Sequence, residues 1–132
     1  MDRLPNWRAN LTQYLASQAR REFKEGSHDC ALFANGAIEA MTGVNLVEKW
    51  GKSYSSTKDG LRKLKADGFS DHIALAKSML PVTETPRPGD IAVVPQPELS
   101  ALGVVQGSFV YVPGPRSLVV VAITEASQFL KV

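Results

Sequence analysis

The chain has 132 residues, one domain's worth, with 15 Lys and Arg against 13 Asp and Glu for a formal net charge of +2. A charge this balanced leaves no electrostatic footprint for nucleic acid, and a single cysteine excludes both an internal disulfide framework and a cysteine-rich zinc site. No apolar run approaches the roughly 20 residues that cross a bilayer, and residues 1–10 lack the apolar core of a secretory leader, so neither membrane insertion nor export is expected.

Residues 3–21 have the spacing of an amphipathic helix, with Leu4, Trp7, Leu11, Tyr14 and Leu15 on one face and Pro5 or Asn6 near its start. A second helix is predicted over 29–42. Its apolar positions Cys30, Phe33, Ala34, Ala37, Ile38 and Met41 form one buried stripe, Ser27 or Asp29 can cap it, and Gly43 follows its last turn. A connector with Trp50 and Tyr54 leads to a short basic helix over 57–67, introduced by a capping-box pattern and stopped by Gly68. Asp71 caps a further helix over 72–80, and Pro81 to Pro88 break the chain.

From Arg87-Pro88-Gly89-Asp90 onward the apolar residues are β-branched and the runs short. Strands are predicted at Ile91–Val94, Leu102–Gln106, Phe109–Val112 and Leu118–Ile123, with a closing strand near Phe129–Val132. Gly107-Ser108 is a two-residue hairpin signal, and connections this short make the neighbours antiparallel. Helices followed by an antiparallel sheet give an α+β chain, a single domain that is mainly helical over 1–80 and mainly sheet over 88–132.

The chemistry-bearing residues are few. Cys30 lies in the first turn of its helix, where unpaired N–H groups and the helix dipole favour the thiolate. A nucleophile there also needs a base within about 3 Å. His28 stands two residues away, and His72, distant in sequence, reads as a surface or first-turn residue. Asp29 has a sufficient role as a helix cap, and Cys30 as a small core hydrophobe. There is no ligand-spaced cluster for a metal and no glycine-rich phosphate loop, so no cofactor is expected.

Four blocks, in order, carry a resemblance. Asp29-Cys30-x-x-Phe33, Met41-Thr42-Gly43-Val44, Pro88-Gly89-Asp90-Ile91-Ala92 and Leu102-Gly103-Val104-Val105-Gln106-Gly107 resemble the cysteine helix and first two sheet strands of NlpC-type, papain-like cell-wall cysteine peptidases. The chain is most similar to a small branch of that superfamily encoded by tailed phages and prophages near the tail-tip genes. The resemblance implies a cysteine helix packed on a C-terminal antiparallel sheet of about four to five strands, with Cys30 at the nucleophile position and Asp29 as a motif residue. It also marks a departure. The strand position that carries the general-base histidine in active members is Ala101, and the third polar position falls on Tyr111.

What the resemblance implies is therefore a structural component of a phage tail tip or baseplate, on a peptidase-like fold that has lost catalysis. Its partners would be other tail-tip or baseplate proteins, with host peptidoglycan as a further candidate, and its location the virion tail. The loops at Trp50, Tyr54, Pro95-Gln96-Pro97 and Val112-Pro113-Gly114-Pro115 would offer contact surface. Two alternatives stay open: a peptidoglycan-cleaving cysteine endopeptidase acting through Cys30 with His28 or a partner's histidine, and a non-catalytic module that binds cell-wall peptides.

Overall fold

The computed structural model describes residues 2–22, 29–46, 56–97 and 100–132. Trp50 and Tyr54 lie outside the described residues. Among the described residues there are four α-helices, α1 (Trp7–Gln18), α2 (Cys30–Thr42), α3 (Thr57–Ala66) and α4 (His72–Met79), and six strands. The strands are β1 (Val82–Thr83), β2 (Ile91–Val94), β3 (Ala101–Gln106), β4 (Phe109–Pro113), β5 (Leu118–Ala122) and β6 (Gln128–Leu130). The protein is α+β, with one antiparallel sheet in the order β1-β6-β2-β3-β4-β5.

Local chemistry sets the helix ends. Asp29 accepts a hydrogen bond from the Leu32 amide at 2.9 Å, Ser56 from Asp59 at 3.1 Å and Asp71 from Ala74 at 2.8 Å, each filling one orphan donor of a first turn. Gly43, at φ 79°, closes α2 in the left-handed conformation with its amide on the Glu39 carbonyl. Helix α1 is shorter than the expected 3–21. Residues ahead of Trp7 are held by tertiary bonds instead, with the Leu4 amide on the Met41 carbonyl at 2.7 Å, and Leu4 is left 38% exposed.

The sheet has six strands where four to five were expected. The extra one, β1, is two residues long and sits between Pro81 and Pro86, too short to give an alternating signal; it pairs Val82 with Leu130 and Thr83 with Phe129. The stripe of α2 (Phe33, Ala34, Ala37, Ile38, Met41) packs on Ile91, Val93, Leu102, Val104 and Leu130 of one sheet face. Full burial of a side chain such as Phe33 or Met41 contributes about 1.5–3 kcal/mol.

The other face (Ala92, Val94, Ala101, Val105, Val110, Val112) is covered by Val121, Ile123, Ala126 and Phe129. This cover comes from the sheet itself. Residues 123–127 carry the chain from β5 past β4, β3 and β2 to β6. In a flat sheet those strands would stand about 19 Å apart, more than a five-residue link with one 3-10 turn spans in comfort. The sheet therefore rolls. Gly103 permits the tight approach of β3 to β4, since a Cβ there would meet Val110 Cγ1 at 2.5 Å and the Tyr111 carbonyl oxygen at 2.8 Å.

The Pro-Gly-Asp segment is a turn and an anchor. The Asp90 amide bonds the Arg87 carbonyl at 3.0 Å across Pro88 and Gly89, and Gly89 at φ 90° supplies the positive φ that a type II turn requires. The Asp90 carboxylate accepts from Arg3 Nη2 at 2.9 Å, the Val132 amide at 3.0 Å and the Arg87 amide at 2.9 Å. Arg3 also donates to the carbonyls of Val132 and Pro88, and its guanidinium stacks over Trp7 at 4.2 Å. One buried ion pair thus clasps both chain ends to the start of β2.

Candidate functional site

The capped N-termini of α2 and α4 meet at the far end of the β2–β3 ladder. Cys30 is the first residue of α2 and His72 the first of α4. His72 Nε2 stands 3.6 Å from Cys30 Sγ and 2.8 Å from the Ser100 carbonyl oxygen. Ser100 immediately precedes Ala101, the strand position without the expected histidine. An imidazole therefore reaches the sulfur from α4 instead of from β3. Of the two places its sequence context allowed, surface or first turn, His72 takes the first turn of α4 and is only 8% exposed.

A carbonyl oxygen can only accept, so the 2.8 Å contact assigns the proton of the neutral ring to Nε2. The basic lone pair is then on Nδ1, across the ring from Nε2. The nitrogen nearest the sulfur cannot take the thiol proton while it is bound to Ser100; at most its N–H is shared with the sulfur as a second acceptor.

Electrostatics points the same way. Cys30 packs against both core clusters, and burial pushes its thiol up to about 11, outweighing the pull of the Leu102 amide. The Asp29 charge adds to the upward push, while the amides of Cys30 and Ala31 pull down. The helix N-terminus acts in the expected direction but loses to desolvation. Burial likewise lowers the His72 pKa, against the opposing effects of the Ser100 carbonyl, Asp71 and Asp29. The resting pair is a thiol beside a neutral imidazole.

The remaining expected residues are placed as follows. His28 and Ser27 lie outside the described residues. Asp29 is buried and caps α2. Ala101 is buried in the face that the rolled sheet closes over. Tyr111 pairs with Val104 and packs with the helix-side cluster, on the opposite face of the sheet from Ala101. Among the described residues no group of three or more His, Cys, Asp and Glu side chains converges as a metal site. An apolar pocket of about 400 Å³, open mouth included, lies between α2 and α4 with Ala31, Leu102 and His72 on its walls.

His72 is the residue that sequence reasoning missed. The signal available was indirect: Asp71 as a cap fixes His72 in a first turn, and Ile73 and Ala76 make that helix pack on the core. Only the placement of α4 relative to α2 brings together residues 42 positions apart.

Among curated proteins, none is similar enough to this chain to count as a match. A family model described as a domain of unknown function, DUF6950, matches residues 2–132, and the chain belongs to that family.

Proposed function

We propose that the protein is a structural component of a bacteriophage tail tip or baseplate, built on a papain-like, NlpC-type fold whose thiol site is catalytically silent. The commitment of His72 Nε2 to the Ser100 carbonyl carries the loss of catalysis, because among the described residues it leaves Cys30 without a proton acceptor. The tail-tip role rests on the resemblance of the four sequence blocks. Two of those blocks have roles here that need no catalysis: Pro88-Gly89-Asp90 makes the turn and anchors the clasp, and Gly103 lets β3 approach β4. Its partners are neighbouring tail-tip or baseplate proteins, and its place is the virion tail.

The 3.6 Å approach favours one second reading, a cysteine peptidase or amidase of peptidoglycan stems in which His72 leaves Ser100 and takes the thiol proton. Alkylation of Cys30 separates the two. For the silent site, labelling is slow at neutral pH, accelerates toward pH 11, and changes by no more than about twofold in His72→Ala. Particles carrying Cys30→Ser remain infectious. A drop of about tenfold or more in His72→Ala, with muropeptide cleavage lost in Cys30→Ser, would establish the hydrolase instead.

A further inference from the structure

The two edges of the sheet are built differently. The β1 edge is two residues long and lies between Pro81 and Pro86, the short, proline-guarded form that resists pairing. The β5 edge is Leu118-Val119-Val120-Val121-Ala122, apolar throughout, with Val119 41% and Val120 51% exposed and Phe109 beside it 53% exposed. The strand itself carries no charge and no proline, and its pairing with β4 has no bulge.

The ladder shows which backbone groups of β5 are open. The Ile123 amide bonds the Ser108 carbonyl and the Gly114 amide bonds the Ser117 carbonyl. Pairs in an antiparallel ladder alternate, so Val119 and Val121 face β4 while Leu118, Val120 and Ala122 turn their N–H and C=O groups outward. The Leu118 amide already donates to the Ala19 carbonyl at 3.0 Å. The end of α1 thus closes the first outward position and leaves the N–H and C=O of Val120 and the N–H of Ala122 open among the described residues, while the Ala122 carbonyl begins the 3-10 turn Ile123–Glu125.

We infer that this edge is the interface with a second copy of the same chain, paired antiparallel about a two-fold axis at Val121. In that register Val120 faces Ala122 of the second copy and Ala122 faces its Val120. The open N–H and C=O of Val120 and the open N–H of Ala122 are then satisfied in each copy, with the Ala122 carbonyl accepting on its second lone pair, and one sheet runs through both copies. A two-fold centred on Val120 is excluded, because it would set the second Ala122 against Leu118, where Ala19 already sits. With the axis at Val121, Leu118 falls opposite Thr124 of the second copy, where the strand has already given way to the 3-10 segment Ile123–Glu125. Charge agrees with this choice. The register brings the β4–β5 turn bearing exposed Arg116 beside the 3-10 turn bearing exposed Glu125 of the other copy, twice by symmetry. Neither side chain has an ion-pair partner among the described residues of its own chain.

Sedimentation of the full chain under reducing conditions tests the pairing. A concentration-dependent dimer is expected. Val120→Lys, at a half-exposed position that leaves the fold intact by circular dichroism, raises the dissociation constant about tenfold or more by placing two unpaired ammonium groups in the interface. Arg116→Glu weakens the dimer, and adding Glu125→Arg restores it. In a Cys30→Ser background, Val121→Cys forms an intermolecular disulfide under mild oxidation, since it faces its own copy across the axis, and Val119→Cys does not. A wild-type monomer at every concentration, or a dimer indifferent to Val120→Lys, would overturn the interface. A disulfide through Val119→Cys in place of Val121→Cys would overturn the register.

Discussion

The β2–β3 ladder has a cluster of buried ionisable groups at each end, about 14 Å apart along the strands. At the Ile91–Val104 end stand Arg3 and Asp90, with side chains only 5% and 1% exposed. Every group of the carboxylate is engaged: one oxygen takes the guanidinium and the Val132 amide, the other the Arg87 amide. At the Val94–Ala101 end stand Cys30, which is partly buried, and His72, which is buried, with one imidazole N–H between a carbonyl and a sulfur. Burial penalises charge at both ends. Where hydrogen bonds engage both carboxylate oxygens, an ion pair holds the fold; where they do not, burial favours the neutral form of the thiol and of the imidazole. Nucleophile and imidazole in proximity are thus insufficient for a thiolate, because the site supplies too little to offset desolvation.

The largest loss is expected at the clasp. Asp90→Ala leaves the Arg3 guanidinium buried and two amides without acceptors, and is expected to cost about 3–5 kcal/mol in urea unfolding. Retention of wild-type stability would mean that the clasp is not what ties the chain ends to β2.

The site makes its own stability demands, set by pH. The Cys30 thiol is raised in the folded state from 9.0 to about 11. Its contribution is complete below pH 9, the unfolded value, and is lost as pH rises toward 11, by about 2 kcal/mol. The difference in unfolding free energy between wild type and Cys30→Ala should shrink over that window. His72 has the opposite sign. Its folded pKa is lowered by burial, so its contribution is full above the unfolded value of about 6.5 and falls as the pH drops below it. This effect is smaller, and His72→Gln, which can still donate to Ser100, should flatten it. A thiol–imidazole pair that persisted as an ion pair would show neither window.

The smallest effect comes from Asp29→Asn. The amide oxygen can still cap α2, but the negative charge that raises the Cys30 pKa is gone. Alkylation of Cys30 at fixed pH should accelerate a few-fold while stability changes little. Unchanged labelling would mean that desolvation alone holds the thiol protonated.

Much of the fold was legible in the residues. Asp29 and Gly43 bracket α2, Ser56 and Asp71 open α3 and α4, and the two-residue link Gly107-Ser108 joins Gln106 to Phe109, each by chemistry confined to a few neighbouring positions. Strand β1 was not legible, because two residues carry no period. The Pro88-Gly89-Asp90 turn could be read as the start of a strand, yet its carboxylate's partners, Arg3 and Val132, lie 87 and 42 residues away. The site was least legible. Cys30 could be placed in a first turn, and a base was sought in the adjacent His28 and on the strand at Ala101, whereas among the described residues the imidazole beside the sulfur belongs to His72.

Short segments of the chain set the α+β order, the capped cysteine helix and the apolar stripe that buries it, because caps, turns and periodicity are local properties. Only the docking of distant elements brought His72 to the sulfur, set which of its nitrogens carries the proton, and raised the thiol pKa. Those outcomes depend on desolvation and on contacts between α2, α4 and the strand end at Ser100, which come together only when the sheet rolls and the helices dock.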